Sequence, residues 1–120
     1  MAHKEITLGL VGVGRWGRNY LNTVGKGLVA DVRISSVCTR TEGSLASLEG
    51  DYVKTTDYRE LPRHGLDGII VASASDTHFE FAKYLLGIGK NVLIEKPVTQ
   101  TNNQALELLG IYRECTPQPV

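Results

Sequence analysis

Apolar positions along the 120-residue chain switch repeatedly between two spacings, and the switching predicts the elements. Residues 6–11, ITLGLV, form an apolar run of strand length. From Arg15 the spacing turns helical, with Trp16, Tyr20 and Val24 at i, i+4 and i+8, until Gly25 and Gly27 stop the helix. That spacing places Trp16 in the core. Residues 32–38 read as a second strand, 44–49 as a short helix and 52–55 as a brief third strand. Asp57 with Glu60 resembles a capping box opening one helical turn, limited by Pro62. DGIIVAS, residues 67–73, reads as a buried strand. Thr77 and Glu80 form a second box, opening a helix with Phe81, Ala82, Leu85 and Leu86 on its apolar face and Gly87 at its end. NVLIE, residues 91–95, is the next strand. Thr101 with Gln104 caps a last helix carrying Ala105, Leu108, Leu109 and Tyr112, which Pro117 and Pro119 close.

Strands this apolar on both faces, alternating with helices, belong to a parallel sheet covered on two sides. Composition agrees: 42% hydrophobic residues suffice for a core in one domain. Thirteen basic residues balance thirteen acidic ones, which argues against nucleic acid or an anionic membrane as partner. The start, MAHKEITLGLVG, lacks the sustained apolar stretch of a signal peptide, so a cytoplasmic protein is expected. Cys38 and Cys115 lie far apart without a C-x-x-C spacing or a neighbouring histidine pair. They read as free thiols, and no metal site is expected.

Candidate chemistry begins at GLVGVGRWGRN, residues 9–19, where Gly12, Gly14 and Gly17 are spaced G-x-G-x-x-G. Alone, the pattern is weak. Its position at the junction of the first strand and first helix makes it a dinucleotide-binding fingerprint. Gly12 makes the tight turn, Gly14 lets the backbone approach a pyrophosphate, and Gly17 allows close helix-to-strand packing. The helix N-terminus supplies unpaired N–H groups and partial positive charge. Arg15 and Trp16, inside the motif, are counted with the glycines among the cofactor-binding residues. The fold class expected is therefore α/β, a Rossmann-like doubly wound parallel sheet of about five strands in the order 3-2-1-4-5.

The stretch after the second strand, VCTRTEGS, bears on which dinucleotide binds. An acid there would hold the adenosine ribose hydroxyls and favour NAD. Thr39 stands in its place, and Arg40 can pair with a 2'-phosphate and stack on adenine. Two alternatives stay open: Arg40 as a solvated side chain, and Glu42 as an acid displaced by a few residues. The cofactor expected is NADP or NAD, with NADP favoured.

The second half of the chain, VASASDTHFEFAKYLLGIGKNVLIEKPVT, resembles the glucose-fructose oxidoreductase, inositol dehydrogenase and MocA family (Gfo/Idh/MocA) from its fourth strand to its E-K-P motif. With the glycine motif in front, the resemblance covers nearly the whole chain. It implies that Ser73 and Ala74 border the cofactor, with His78 close to the same loop. It also implies that Glu95 and Lys96 lie near the nicotinamide ribose, where the lysine often touches substrate, and that Pro97 completes the motif. His78 can equally be a polar residue of the first helical turn without a ligand, and Lys96 a solvated side chain. The setting GRWGRN is similar to a W-G-x-N variant found in nucleotide-sugar dehydrogenases of surface polysaccharide synthesis.

Members of the resembled family carry a second, larger domain that supplies most of the substrate pocket. The expectation is that residues 1–120 form one NAD(P)-binding domain, cut before a sixth strand and without that substrate domain. The function implied is the cofactor half of an oxidoreductase that moves hydride between nicotinamide and a sugar, polyol or nucleotide sugar. Lys96, with His78 as a second candidate, would do the catalytic work. The alternatives are a noncatalytic dinucleotide-sensing module and an assembly domain pairing through an open sheet edge. The resemblance further implies a homo-oligomer, although such oligomers usually assemble through the second domain.

Overall fold

Successive side chains of a strand point to opposite faces, so strands apolar at every position require cover on both sides. The computed structural model, which describes residues 4–120, shows that arrangement. The sheet is wholly parallel: β1 (Ile6–Val11), β2 (Val32–Cys38), β3 (Val53–Thr55), β4 (Gly68–Val71) and β5 (Val92–Ile94) lie in the order β3-β2-β1-β4-β5. This is the order expected of a Rossmann-like sheet. Leu10, Val37 and Ile70 face one layer, packing with Leu21 of α1 (Arg15–Gly25) and Leu45 of α2 (Glu42–Ala46). Their neighbours Val11, Cys38, Ile69 and Val71 face the other, against Leu61 of a 3₁₀ turn (Tyr58–His64) and Leu85 of α3 (His78–Gly87). α4 (Asn102–Glu114) joins through Leu108, which meets Ala82 and Leu86 of α3. Fully burying a side chain such as Leu10 or Leu85 stabilises the fold by about 1.5–3 kcal/mol.

Several local expectations need correction. Trp16 is 56% exposed; α1 buries Gly17 and Leu21 instead, with Tyr20 and Val24 half-buried. The close seat of Gly17 beneath the preceding turn fixes the helix rotation and sends Trp16 outward. α2 starts at Glu42, two residues before the expected helix, because the Thr41 hydroxyl accepts from the Ser44 N–H and caps it. Asp57 does cap its turn, but through Arg59 N–H, and the 3₁₀ winding continues past Pro62 to His64. The Thr77–Glu80 box does not form. A short 3₁₀ turn, Ser75–Thr77, precedes α3, and the Thr77 hydroxyl donates back to the Ala74 carbonyl at 2.6 Å. Thr101 caps α4 through Gln104 N–H as expected, whereas Gln104 reaches back to Gln100 N–H. Along α4, Ile111 takes the packed position expected of Leu109, which is 40% exposed.

No helix among the described residues is long and apolar enough to cross a membrane. Cys38 and Cys115 are free thiols, the first buried and the second half-buried.

Candidate functional site

Parallel strands end on the same edge, and here the ladder carries past each strand end. Gly12 N–H donates to the Cys38 carbonyl at 2.8 Å, Ala72 N–H to Val11 at 2.8 Å, Thr39 N–H to Thr55 at 3.2 Å and Glu95 N–H to Val71 at 2.9 Å. The exits of five strands are thereby held in one row. The chain leaves β1 towards one face through α1 and leaves β4 towards the other through α3. A crevice between those exits follows from the topology. It holds a cleft of about 500 Å³, lined by the glycine turn, the Thr39–Arg40 exit and the Ser73–Ala74 loop. That volume lies in the usual range of small-molecule sites, about 300–1,000 Å³.

The three glycines occupy three different physical situations. Gly12 has φ +97°, and a Cβ there would lie 2.6 Å from the Ser73 backbone. At Gly17 a Cβ would sit 1.9 Å from the Gly12 carbonyl oxygen, so the helix start packs backbone against backbone under the turn. Gly14, with φ −71°, meets nothing within 4 Å. No protein atom requires a glycine there; the open space beside it belongs to the cleft. Gly14 is also the N-cap of α1, with no side-chain cap and no acidic residue in the first turn. The helix's first N–H groups and the positive end of its dipole thus face a site suited to an anion.

The other expected residues divide into two groups. Gly12, Gly14, Arg15, Trp16, Thr39, Arg40, Ser73 and Ala74 all border the cleft, whereas Glu42, on α2, does not line it. Gly17 supports the turn from below. His78, Glu95, Lys96 and Pro97 stand beside the cleft at the exit of β5 and the start of α3 rather than in its wall. His78 is 1% exposed, and each ring nitrogen faces a carbonyl oxygen: Nδ1 that of Pro97 at 2.7 Å, Nε2 that of Ser73 at 2.9 Å. Neither nitrogen is turned to an open space. Lys96 is exposed and takes no part in the three ion pairs among the described residues, Lys4–Asp67, Arg33–Glu5 and Lys83–Glu107.

Three features escaped the sequence. Tyr20, placed there only on an apolar helix face, donates its hydroxyl to the Glu95 carboxylate across 75 residues of chain. Burial, together with that carboxylate, pushes the Tyr20 hydroxyl up to about 12. Tyr58 and Phe81, with ring centroids 4.4 Å apart, form an aromatic wall of the cleft. Thr77, read as a helix cap, lines the cleft and shares a 2.7 Å hydrogen bond with the Ser73 hydroxyl. These residues come from separate elements, Tyr20 from α1, Phe81 from α3 and Tyr58 and Thr77 from 3₁₀ turns, so no local spacing announces them.

Sheet order, glycine turn and crevice together define the Rossmann-like class of α/β domains. Comparison with known proteins gives the particular family. Residues 6–116 match the family described as "Oxidoreductase family, NAD-binding Rossmann fold", Gfo/Idh/MocA. Inositol 2-dehydrogenase 2 of Saccharopolyspora erythraea is 31% identical over 108 residues, which is 87% of this chain and 32% of that protein. The WlbA dehydrogenase of Bordetella pertussis, solved with NADH and UDP-GlcNAcA, superposes with a TM-score of 0.84 at 20% identity over 95% of this chain and 35% of that one. The myo-inositol 2-dehydrogenase of Lactobacillus plantarum gives 0.82 at 21% identity, over 92% and 33% respectively. The chain belongs to the Gfo/Idh/MocA oxidoreductase family, as its NAD-binding Rossmann domain. It spans about a third of the length of these relatives.

Proposed function

We propose that the cleft binds a nicotinamide dinucleotide and that the chain is the cofactor half of an oxidoreductase acting on a sugar, polyol or nucleotide sugar. The observation that carries this reading is the void at Gly14. A glycine that no protein contact requires, at the bare N-terminus of a helix, leaves room for an anionic group to touch backbone. The N–H groups of the first turn of α1 would hold the pyrophosphate, and Ser73, Ala74 and Trp16 would border the remainder. Arg40, which lines the cleft where Glu42 does not, favours the 2'-phosphate of NADP.

When bound, the nicotinamide supplies hydride transfer. The role of this chain's Lys96 would be to orient or polarise the reacting oxygen from the exit of β5. His78, enclosed with both nitrogens against carbonyl oxygens, fits a structural task better than proton transfer. The inositol dehydrogenases among the relatives, and the UDP-GlcNAcA bound to the WlbA dehydrogenase, support a polyol or nucleotide-sugar substrate.

Trp16 is the chain's one tryptophan and lines the cleft, so energy transfer from its indole to a reduced nicotinamide reports binding directly. Titration with NADH and with NADPH should give saturable quenching of Trp16 emission. A folded chain that shows none with either cofactor overturns the reading.

A further inference from the structure

Residues 95–97 must place a lysine ammonium beside a cofactor held by other elements, and a displacement of about 1 Å in such a group can cost a hundredfold in rate. β5 is an edge strand of three residues, and its ladder ends one residue past it, where Glu95 N–H donates to the Val71 carbonyl at 2.9 Å. Lys96, Pro97 and Val98 are all exposed. What fixes them has to come from outside the strand.

Two side chains do this from opposite directions. Tyr20, on the second turn of α1, donates to the Glu95 carboxylate at the near end of the segment. His78, at the start of α3, faces the Pro97 carbonyl at the far end with one nitrogen and the Ser73 carbonyl with the other. Among the described residues it makes the one hydrogen bond to residues 96–98. The anchors are not arbitrary surfaces. α1 is the helix whose first turn follows Gly14, and Ser73 belongs to the loop against which Gly12 packs.

We propose that Tyr20 and His78 are positioning residues that tie the 95–97 segment to the two cofactor-bordering loops, so that Lys96 moves with those loops. Tyr20 acts through Glu95, and His78 through the Pro97 carbonyl. Neither would touch substrate. The inference rests on the dinucleotide reading above for its purpose, although the tethering itself does not depend on a bound ligand.

The test is backbone ¹⁵N relaxation on the whole 120-residue chain, with NADH titrations followed through Trp16. In the native chain Lys96 and Val98 should be as ordered as the sheet, with order parameters about 0.85. Tyr20→Phe removes one hydroxyl and keeps the ring. It should lower both values towards about 0.6, leave Thr39 and Ser73 unchanged, and weaken NADH three- to tenfold. Glu95→Gln retains an acceptor oxygen for Tyr20 and should preserve most of the order, which a merely steric role would not distinguish from Tyr20→Phe. His78→Gln should loosen Val98 more than Lys96. Unchanged order at Lys96 and Val98 in Tyr20→Phe overturns the proposal, as does loosening spread evenly over all strand exits. Should His78→Gln fail to fold, the Tyr20→Phe result still decides. A native chain that binds no NADH but loses order at residues 96–98 in Tyr20→Phe would sink the cofactor reading and leave the tethering supported.

Discussion

Valine at position 14 separates folding from binding more cleanly than any other single change. The new Cβ meets no atom within 4 Å, and φ −71° with ψ −158° is extended backbone that valine accepts. Losing glycine as N-cap costs several tenths to about 1 kcal/mol. Restricting the unfolded chain offsets about 0.4–1 kcal/mol of that. The net change should stay within about 1 kcal/mol, or about 3–6 °C in Tm for a chain of this length. Binding should respond differently. A side chain that holds the pyrophosphate away from one charge-assisted N–H bond removes about 1.5–3 kcal/mol, a ten- to hundredfold rise in Kd. Gly17→Ala supplies the contrast. Its methyl would lie 1.9 Å from the Gly12 carbonyl oxygen, so the turn must shift bodily. Overpacking of this kind costs about 1–3 kcal/mol or more, and Tm should fall by roughly 10 °C. Thermal unfolding and Trp16 quenching by NADH, measured on both variants, check the pair. A Gly14→Val chain that binds NADH as the native chain does, or unfolds as readily as Gly17→Ala, would refute the reasoning.

Arg40→Ala should weaken NADPH by roughly ten- to a hundredfold while leaving NADH nearly unchanged, and Thr39→Asp should reverse the preference; equal affinities for both cofactors in the native chain, titrated at low and high salt, would remove the basis for an NADP site. Burial, with Asp57 and Glu60 nearby, pushes the Cys38 thiol up to about 12, so Ellman's reagent at pH 8 should leave it unmodified until denaturant is added. The same shift implies a loss of stability in alkali. Folded Cys38 and Tyr20 keep protons that their unfolded forms release, so stability is full below about pH 9 and falls as pH rises towards 12; Cys38→Ala should flatten the decline of Tm over that window. Leu85→Ala, at a position with no exposure, should cost about 2–5 kcal/mol, read as a lower urea midpoint with an unchanged m-value.

The sheet was legible because its signal is local: β1 and β4 are short, mainly apolar runs, β2 is interrupted only by Arg33, Ser35 and Ser36, and a parallel order follows from the helices between them. Helix rotation was less legible. Trp16, Tyr20 and Val24 satisfy a helical period, but the contact of Gly17 with Gly12, invisible to a hydrophobicity pattern, outweighs the preference of an indole for the core. Cap signals failed where a hydroxyl had a competing partner, as when Thr77 turned to Ala74 and Ser73. In the site, the glycine turn, the Thr39–Arg40 exit and the Ser73 loop could be read, since each follows a recognisable strand. The Tyr20–Glu95 and His78–Pro97 pairs could not. They are long-range contacts between elements whose relative placement no spacing along the chain records.

The part of the cleft suited to an anion is made of backbone and empty space. Truncation scanning, which asks what is lost when side chains are trimmed to alanine, has nothing to trim at Gly12, Gly14 or Gly17. Every informative change at those positions adds an atom instead of removing one. A deletion-style survey of this domain would therefore report on side chains such as Arg40 and Lys96 and pass over the turn, and only a scan by enlargement would test the glycines.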